Sequence, residues 1–189
     1  MTEKKNIAIF ASGSGSNFQA IAESIVRKEI NANISLLVCD NPNAIVLERS
    51  KKFCIDFFVC SPKNFNNKQS YEEAILHKLK EYQIDFIALS GYMRIIGKTL
   101  LNHYEGRMVN IHPSLLPSFP GATAIKDAFD YGVKVSGVTI HWVDSGIDTG
   151  KIISQKAVYL DCNDTLESFS QKIHAVEHIL YSETLSKLL

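Results

Sequence analysis

The feature that most constrains this chain is a series of short, unbroken apolar runs, each followed by a stretch with helical spacing. Residues 6–11 read Asn-Ile-Ala-Ile-Phe-Ala, and runs at 34–39, 56–59 and 85–89 have the same character. A run without polar alternation marks a strand covered on both faces. Between the runs, Phe18, Ile21, Ile25 and Val26 recur at three- and four-residue spacing, and 44–52 reads as a helix. The stretch 69–82 turns Ile75, Leu76 and Leu79 to one side, as an amphipathic helix does. Parallel strands need crossovers of this kind. The alternation therefore predicts a Rossmann-like α/β fold, a mostly parallel sheet with helices on both faces. The second half continues with a short helix at 122–129, strands at 135–143 and 151–160, and a long helix from Thr165. The packing stripe of that helix is Phe169, Ile173, Val176, Ile179 and Leu180. With 189 residues and no linker or repeat, the chain is expected to form a single domain, 1–189.

In sheets of this kind ligands sit beyond the carboxyl ends of the strands. Three polar clusters occupy such positions. The first is Ser12-Gly-Ser-Gly-Ser-Asn17, between a strand and a helix. Glycines there let an anion approach unpaired N–H groups at the helix start, which suits a phosphate monoester. The turn lacks the third glycine of the dinucleotide fingerprint, the Gly-Lys-Ser/Thr of a Walker loop and the flanking glycines of a nucleophile elbow. A plain βα turn that needs glycine for backbone reasons is the alternative. The second cluster is 90–96, where Arg94 stands among Met93, Ile95 and Ile96. It reads either as a solvated loop charge or as part of a slot for a flat heteroaromatic ligand. The third is Met-Val-Asn-Ile-His at 108–112, followed by Pro113, Pro117, Pro120 and Gly121. Residues two apart on a strand share a face, so Asn110 and His112 leave the sheet side by side above a rigid loop. His141, on the expected 135–143 strand, reads as a hydrogen-bonded core residue. Asp144 and Asp148 lie in the polar turn that follows.

Twenty basic and 20 acidic residues cancel to a formal net charge of zero. No global field then favours nucleic acid or a membrane surface, and an anionic ligand has to be held by local geometry. The first apolar run is too short for a signal peptide or a membrane span, so the cytoplasm is the expected compartment. Cys39, Cys54, Cys60 and Cys162 show no CxxC or metal-ligand spacing and read as reduced, partly buried thiols.

In order and spacing, the 12–17 turn, Gly91-Tyr-Met-Arg-Ile-Ile96, Asn110-Ile-His-Pro-Ser-Leu-Leu-Pro117 and the 144–148 turn resemble the folate-dependent formyltransferases, over nearly the whole chain. The resemblance implies transfer of the formyl group from N10 of 10-formyltetrahydrofolate, a co-substrate, to the amine of 5'-phosphoribosylglycinamide (GAR), a step of purine biosynthesis. It implies Asn110, His112 and Asp148 as catalytic residues. Asn110 and His112, as imidazolium, would donate to the developing oxyanion, with Asp148 against His112. Gly15, Ser16 and Asn17 match the loop for the GAR phosphate, and His174 and Glu177 match residues holding the rest of GAR. Lys68, Met93, Arg94, Ile95, Ile96, Asn110, Asp144 and Asp148 match positions around the folate, and a cis bond before Pro117 is one expectation. Lys68 departs from an arginine in many relatives, and Ala122-Thr-Ala-Ile125 from histidines in some. The resemblance requires neither a metal nor a covalent nucleophile. Its partners are two small molecules, not nucleic acid or membrane, and monomer and homodimer both stay open. Chain length disfavours methionyl-tRNA formyltransferase and formyltetrahydrofolate deformylase, which carry further domains. The alternatives are a formyltransferase for another phosphorylated amine, a 10-formyltetrahydrofolate hydrolase and a silent binding module. A nicotinamide-dependent oxidoreductase would use Asp40 after the second run, but the glycine pattern for it is missing.

Overall fold

The computed structural model describes residues 4–189; residues 1–3, at the start of the expected domain, lie outside the described residues. The elements run β1 (Lys5–Ala11), α1 (Ser16–Val26), β2 (Ala32–Cys39), α2 (Val46–Lys52), β3 (Phe57–Val59), α3 (Lys68–Glu81) and β4 (Phe86–Leu89). They continue with α4 (Lys98–Tyr104), β5 (Met108–His112), α5 (Ala124–Tyr131), β6 (Val135–Trp142), β7 (Ile152–Tyr159) and α6 (Leu166–Leu188). The sheet has the order β3-β2-β1-β4-β5-β6-β7. The strands from β3 to β5 are parallel neighbours, whereas β6 runs antiparallel to β5 and β7 antiparallel to β6. Successive strands leave β1 first toward β2 and then, after β3, toward β4. At that reversal the two crossovers part, and a crevice opens above the carboxyl ends of β1 and β4.

The alternation of β1 divides the interior. Ile7, Ile9 and Ala11 face a core shared with Phe18 and Ile21 of α1 and with Phe169, Ile173, Leu180 and Tyr181 of α6. Ala8 and Phe10 face the opposite core, where α3 contributes Ile75, Leu76 and Leu79 and α4 contributes Leu100 and Tyr104. Both faces of the sheet are covered, which is why its inner strands read as unbroken apolar runs. Cys39, Cys54, Cys60 and Cys162 are all free, the first and third buried and the other two exposed. Among the described residues no helix is long and apolar enough to cross a membrane.

Several details differ from the sequence expectation. Val26 is 71% exposed, because it lies five residues beyond Ile21, and at about 100° per residue that is roughly 140° off the buried stripe. Ile179 is 50% exposed for the same reason, six residues beyond Ile173 and about a third of a turn off the stripe. The α6 stripe passes instead through Glu177, Tyr181, Thr184 and Leu185. The helix α4 was not expected. It has seven residues and only Leu100 and Tyr104 buried, too little to establish a period. Ser16 and Asn17, read as turn residues, form the first turn of α1.

Candidate active site

The turn after β1 is shaped by Gly15, at φ 72° and ψ 29°. Glycine adopts this left-handed conformation without strain. A Cβ there would also lie 3.0 Å from Val46 Cα and closer still to the Val46 side chain. Arg49 of α2 braces the turn by donating from Nε to the Ser14 carbonyl at 2.8 Å. The next residues open α1, whose first N–H groups lack intrahelical acceptors. Asn17 is nearly buried; its Nδ2 donates to Glu177 Oε2 at 3.3 Å, while its Oδ1 is buried without a partner. Glu177, also buried, takes His174 Nδ1 at 2.7 Å. That bond raises the His174 pKa above the ordinary imidazole value, against the opposing effect of burial.

The carboxyl end of β5 carries the central cluster. Asn110 and His112 leave the same side of the strand, and the 113–121 loop folds back over them, with a cis bond between Leu116 and Pro117. The Phe119 carbonyl accepts from His112 Nε2 at 2.8 Å, and Asp148 Oδ2 stands 3.3 Å from His112 Nδ1. Each nitrogen of that ring therefore faces an acceptor. Asp148 Oδ2 also takes the Gly121 N–H at 2.8 Å, and its Oδ1 takes Asn110 Nδ2 at 3.3 Å. On the other side, Asn110 Nδ2 lies 3.2 Å from His141 Nε2, whose Nδ1 faces the Trp142 carbonyl at 2.8 Å. Nδ1 is the donor there, which leaves Nε2 to accept from Asn110. Burial pushes the Asp148 carboxyl up, but the adjoining His141 ring, the hydrogen bond from the Gly121 N–H and the nearby His112 outweigh it and hold the pKa below the usual carboxylate value. Asp148 remains an acceptor that fixes the Asn110 amide, the Gly121 N–H and the His112 imidazole.

These groups line one cavity of about 560 Å³. Of the residues singled out in the sequence, Gly15, Ser16, Asn17, Met93, Arg94, Ile95, Ile96, Asn110, His112, Asp144, Asp148, His174 and Glu177 all border it. Met93 and Ile95 are largely exposed along its edge. Arg94 is not a free loop charge, since its Nε pairs with Asp40 Oδ2 at 2.6 Å. Lys68 is not among the lining residues; its Nζ lies 4.0 Å from Glu72 Oε1 at the start of α3. Asp144 accepts from Gly146 N and Thr149 Oγ1 and so shapes the turn that delivers Asp148.

Sequence reasoning missed the place of His141 in this cluster. It is buried and hydrogen-bonded as expected, yet β6 pairs antiparallel with β5 so that His141 sits directly opposite Asn110. The available signal was the alternation of Gly137, Thr139 and His141 along one strand face, but not the strand it would pair with. Arg49 and the Phe119 carbonyl gave no signal at all.

Comparison with known proteins bears on the family and the fold. Residues 5–185 match the family described as formyl transferase. The chain is 50% identical over 185 residues to phosphoribosylglycinamide formyltransferase of Bacillus subtilis (strain 168), covering 98% of this chain and 95% of that protein. It is 37% identical over 188 residues to the trifunctional purine biosynthetic protein adenosine-3 of Drosophila melanogaster, covering 98% of this chain and 14% of that longer protein. Among solved structures, phosphoribosylglycinamide formyltransferase from Bacillus halodurans superposes with a TM-score of 0.96 at 54% identity, covering 98% of this chain and 95% of the other.

Proposed function

The chain belongs to the formyl transferase family, and from that membership we infer that it transfers the formyl group of 10-formyltetrahydrofolate to the amine of phosphoribosylglycinamide. The products are formyl-phosphoribosylglycinamide and tetrahydrofolate, and the reaction is a step of purine biosynthesis. The observation that supports the assignment of roles is the meeting of Asn110, His112 and Asp148 in a cavity that also holds the 13–17 turn and the 93–96 wall.

The amine nitrogen attacks the formyl carbon, and the carbonyl electrons move onto oxygen. Asn110, turning one N–H from His141 or Asp148, and His112, as imidazolium turning its Nε2–H from the Phe119 carbonyl, donate to that oxygen; donors of this kind contribute about 2.7–4 kcal/mol each where one has been removed. Collapse of the tetrahedral intermediate expels N10, which gains a proton while the amine nitrogen loses one. His112 and Asp148, 3.3 Å apart, are suited to pass that proton. Gly15, Ser16 and Asn17 receive the phosphate, and His174 and Glu177 hold the rest of that substrate. Met93, Arg94, Ile95 and Ile96 flank the pterin, with Asp144 shaping the opposite turn. Lys68, outside the lining, is left for the distal end of the folate. The same reading takes 1–189 as one catalytic domain in the cytoplasm, monomeric or homodimeric, with small molecules as its partners.

A spectrophotometric assay with a 10-formylfolate donor tests the reaction. Deformylation that depends on phosphoribosylglycinamide is the expected result; loss of the formyl group without any amine would mean hydrolysis instead. His112→Ala and Asp148→Ala are each expected to lower kcat by about 10²-fold or more with folding preserved. Near-normal turnover in either would remove the proposed mechanism.

A further inference from the structure

Asp40 has no part in the reaction so far, yet it is buried directly after β2 and paired with Arg94. Arg94 belongs to the 91–97 segment, which forms a wall of the cavity without helix or strand. A wall that lines a slot for a flat ring must keep its backbone fixed. Lacking a hydrogen-bond ladder, it needs anchors from outside. Such anchors occur along its length. Ser12 N donates to the Gly91 carbonyl at 3.1 Å, and Met93 N donates to Ser12 Oγ at 2.8 Å. The Tyr92 and Tyr71 hydroxyls meet, and burial raises both phenol pKa values, so both stay protonated at neutral pH. At the far end, Glu72 Oε1 accepts from Gly97 N at 2.5 Å. A Cβ on Gly97 would come 2.7 Å from that oxygen, so the glycine permits the contact.

Asp40 and Glu72 are 5% and 3% exposed. Burying a carboxylate is costly unless it is well paired. Asp40 Oδ1 has no partner, and Glu72 has one backbone N–H with Lys68 Nζ 4.0 Å away. Neither arrangement is what stability alone would retain. We propose that Asp40 and Glu72 are positioning residues that clamp the 91–97 wall at Arg94 and Gly97 and so set the affinity for the folate donor. The proposal rests on the reading of 93–96 as the folate wall.

The test combines amide hydrogen exchange across 91–97 with steady-state kinetics of the full chain. In Asp40→Ala and Glu72→Ala, exchange in the segment and the KM for the formyl donor are each expected to rise about tenfold, with the KM for the amine substrate unchanged. Glu72→Gln, whose amide oxygen still accepts from Gly97, restores both. A general loosening of the fold would instead move both KM values and leave glutamine no better than alanine, which overturns the proposal. Unchanged exchange in the alanine variants overturns the clamp whatever the reaction is. Faster exchange with an unchanged donor KM overturns its role at the donor site. A wild-type chain that shows no amine-dependent deformylation overturns the reading of the reaction, and the donor role falls with it. If an alanine variant does not fold, Asp40→Asn carries the test: a donor KM raised several-fold supports the clamp, and an unchanged one overturns it.

Discussion

Glu177 is buried and holds two donors, Asn17 and His174, beside the turn proposed to receive a phosphate. With His174 protonated the His174–Glu177 pair is neutral. Its deprotonation leaves a carboxylate uncompensated next to the α1 amides. The groups around it do not substitute for that charge. Asn17 is neutral, and burial lowers the His178 pKa, so His178 is uncharged at neutral pH. Arg49, which donates to Ser14 and Gln19, and Glu23 carry charges of opposite sign that stay constant as His174 titrates. Because the Glu177 bond raises the His174 pKa, the charge is fully present below the ordinary imidazole value and is lost as pH rises through the raised one. The KM for phosphoribosylglycinamide is therefore expected to rise severalfold as pH increases from about 7 through the raised His174 pKa, the phosphate already being a dianion. His174→Lys, charged throughout this range, should flatten the profile. A pH profile of KM for both proteins checks this, and identical slopes would exclude His174 as the source.

At the scale of elements, the legible parts were those whose burial is complete. The strands β1, β2 and β4 are covered on both faces, so their sequence is a plain apolar run, and the helices between them carry regular stripes. What stayed illegible was set by partners distant in sequence. The short α4 shows one buried pair, β6 gives no sign that it lies antiparallel beside β5, and the α6 stripe is interrupted by Glu177, a buried residue bordering the cavity where packing alone would place an apolar one. The start of α1 was legible as a glycine turn, but Val46, which makes Gly15 obligatory, is not visible from the turn itself. Gly15→Ala combines a left-handed backbone with overlap on Val46 and is expected to destabilise the protein by about 2 kcal/mol or more. Urea unfolding measures this directly, and an unchanged midpoint would mean that the turn relaxes freely and does not hold the α1 amides in place.

Across the whole molecule, the cavity draws on segments near positions 15, 94, 110, 148 and 175, and only the order of strands in the sheet brings them together. The sequence marked most of these segments because each follows a strand or lies on a helix stripe. It could not show what locks α6, which carries His174 and Glu177, onto the sheet. Tyr181 does so from the centre of the interior. It is fully buried, and its hydroxyl donates to the Leu89 carbonyl at 2.8 Å and approaches the Val109 carbonyl at 3.4 Å. The first carbonyl ends β4 and the second lies within β5, one residue before Ser90 and Asn110 respectively, so a single side chain joins the helix to two walls of the cavity. Tyr181→Phe keeps the ring and its packing but removes the donor, leaving a buried strand-end carbonyl with one partner fewer. The expected cost is about 1–3 kcal/mol, read as a lower urea midpoint with an unchanged slope. Because α6 would then seat less firmly, the KM for phosphoribosylglycinamide should rise more than that for the folate donor. A loss of stability with both KM values unchanged would show that the clasp supports the fold alone, and that α6 reaches its register through the apolar stripe of Phe169, Ile173 and Leu180.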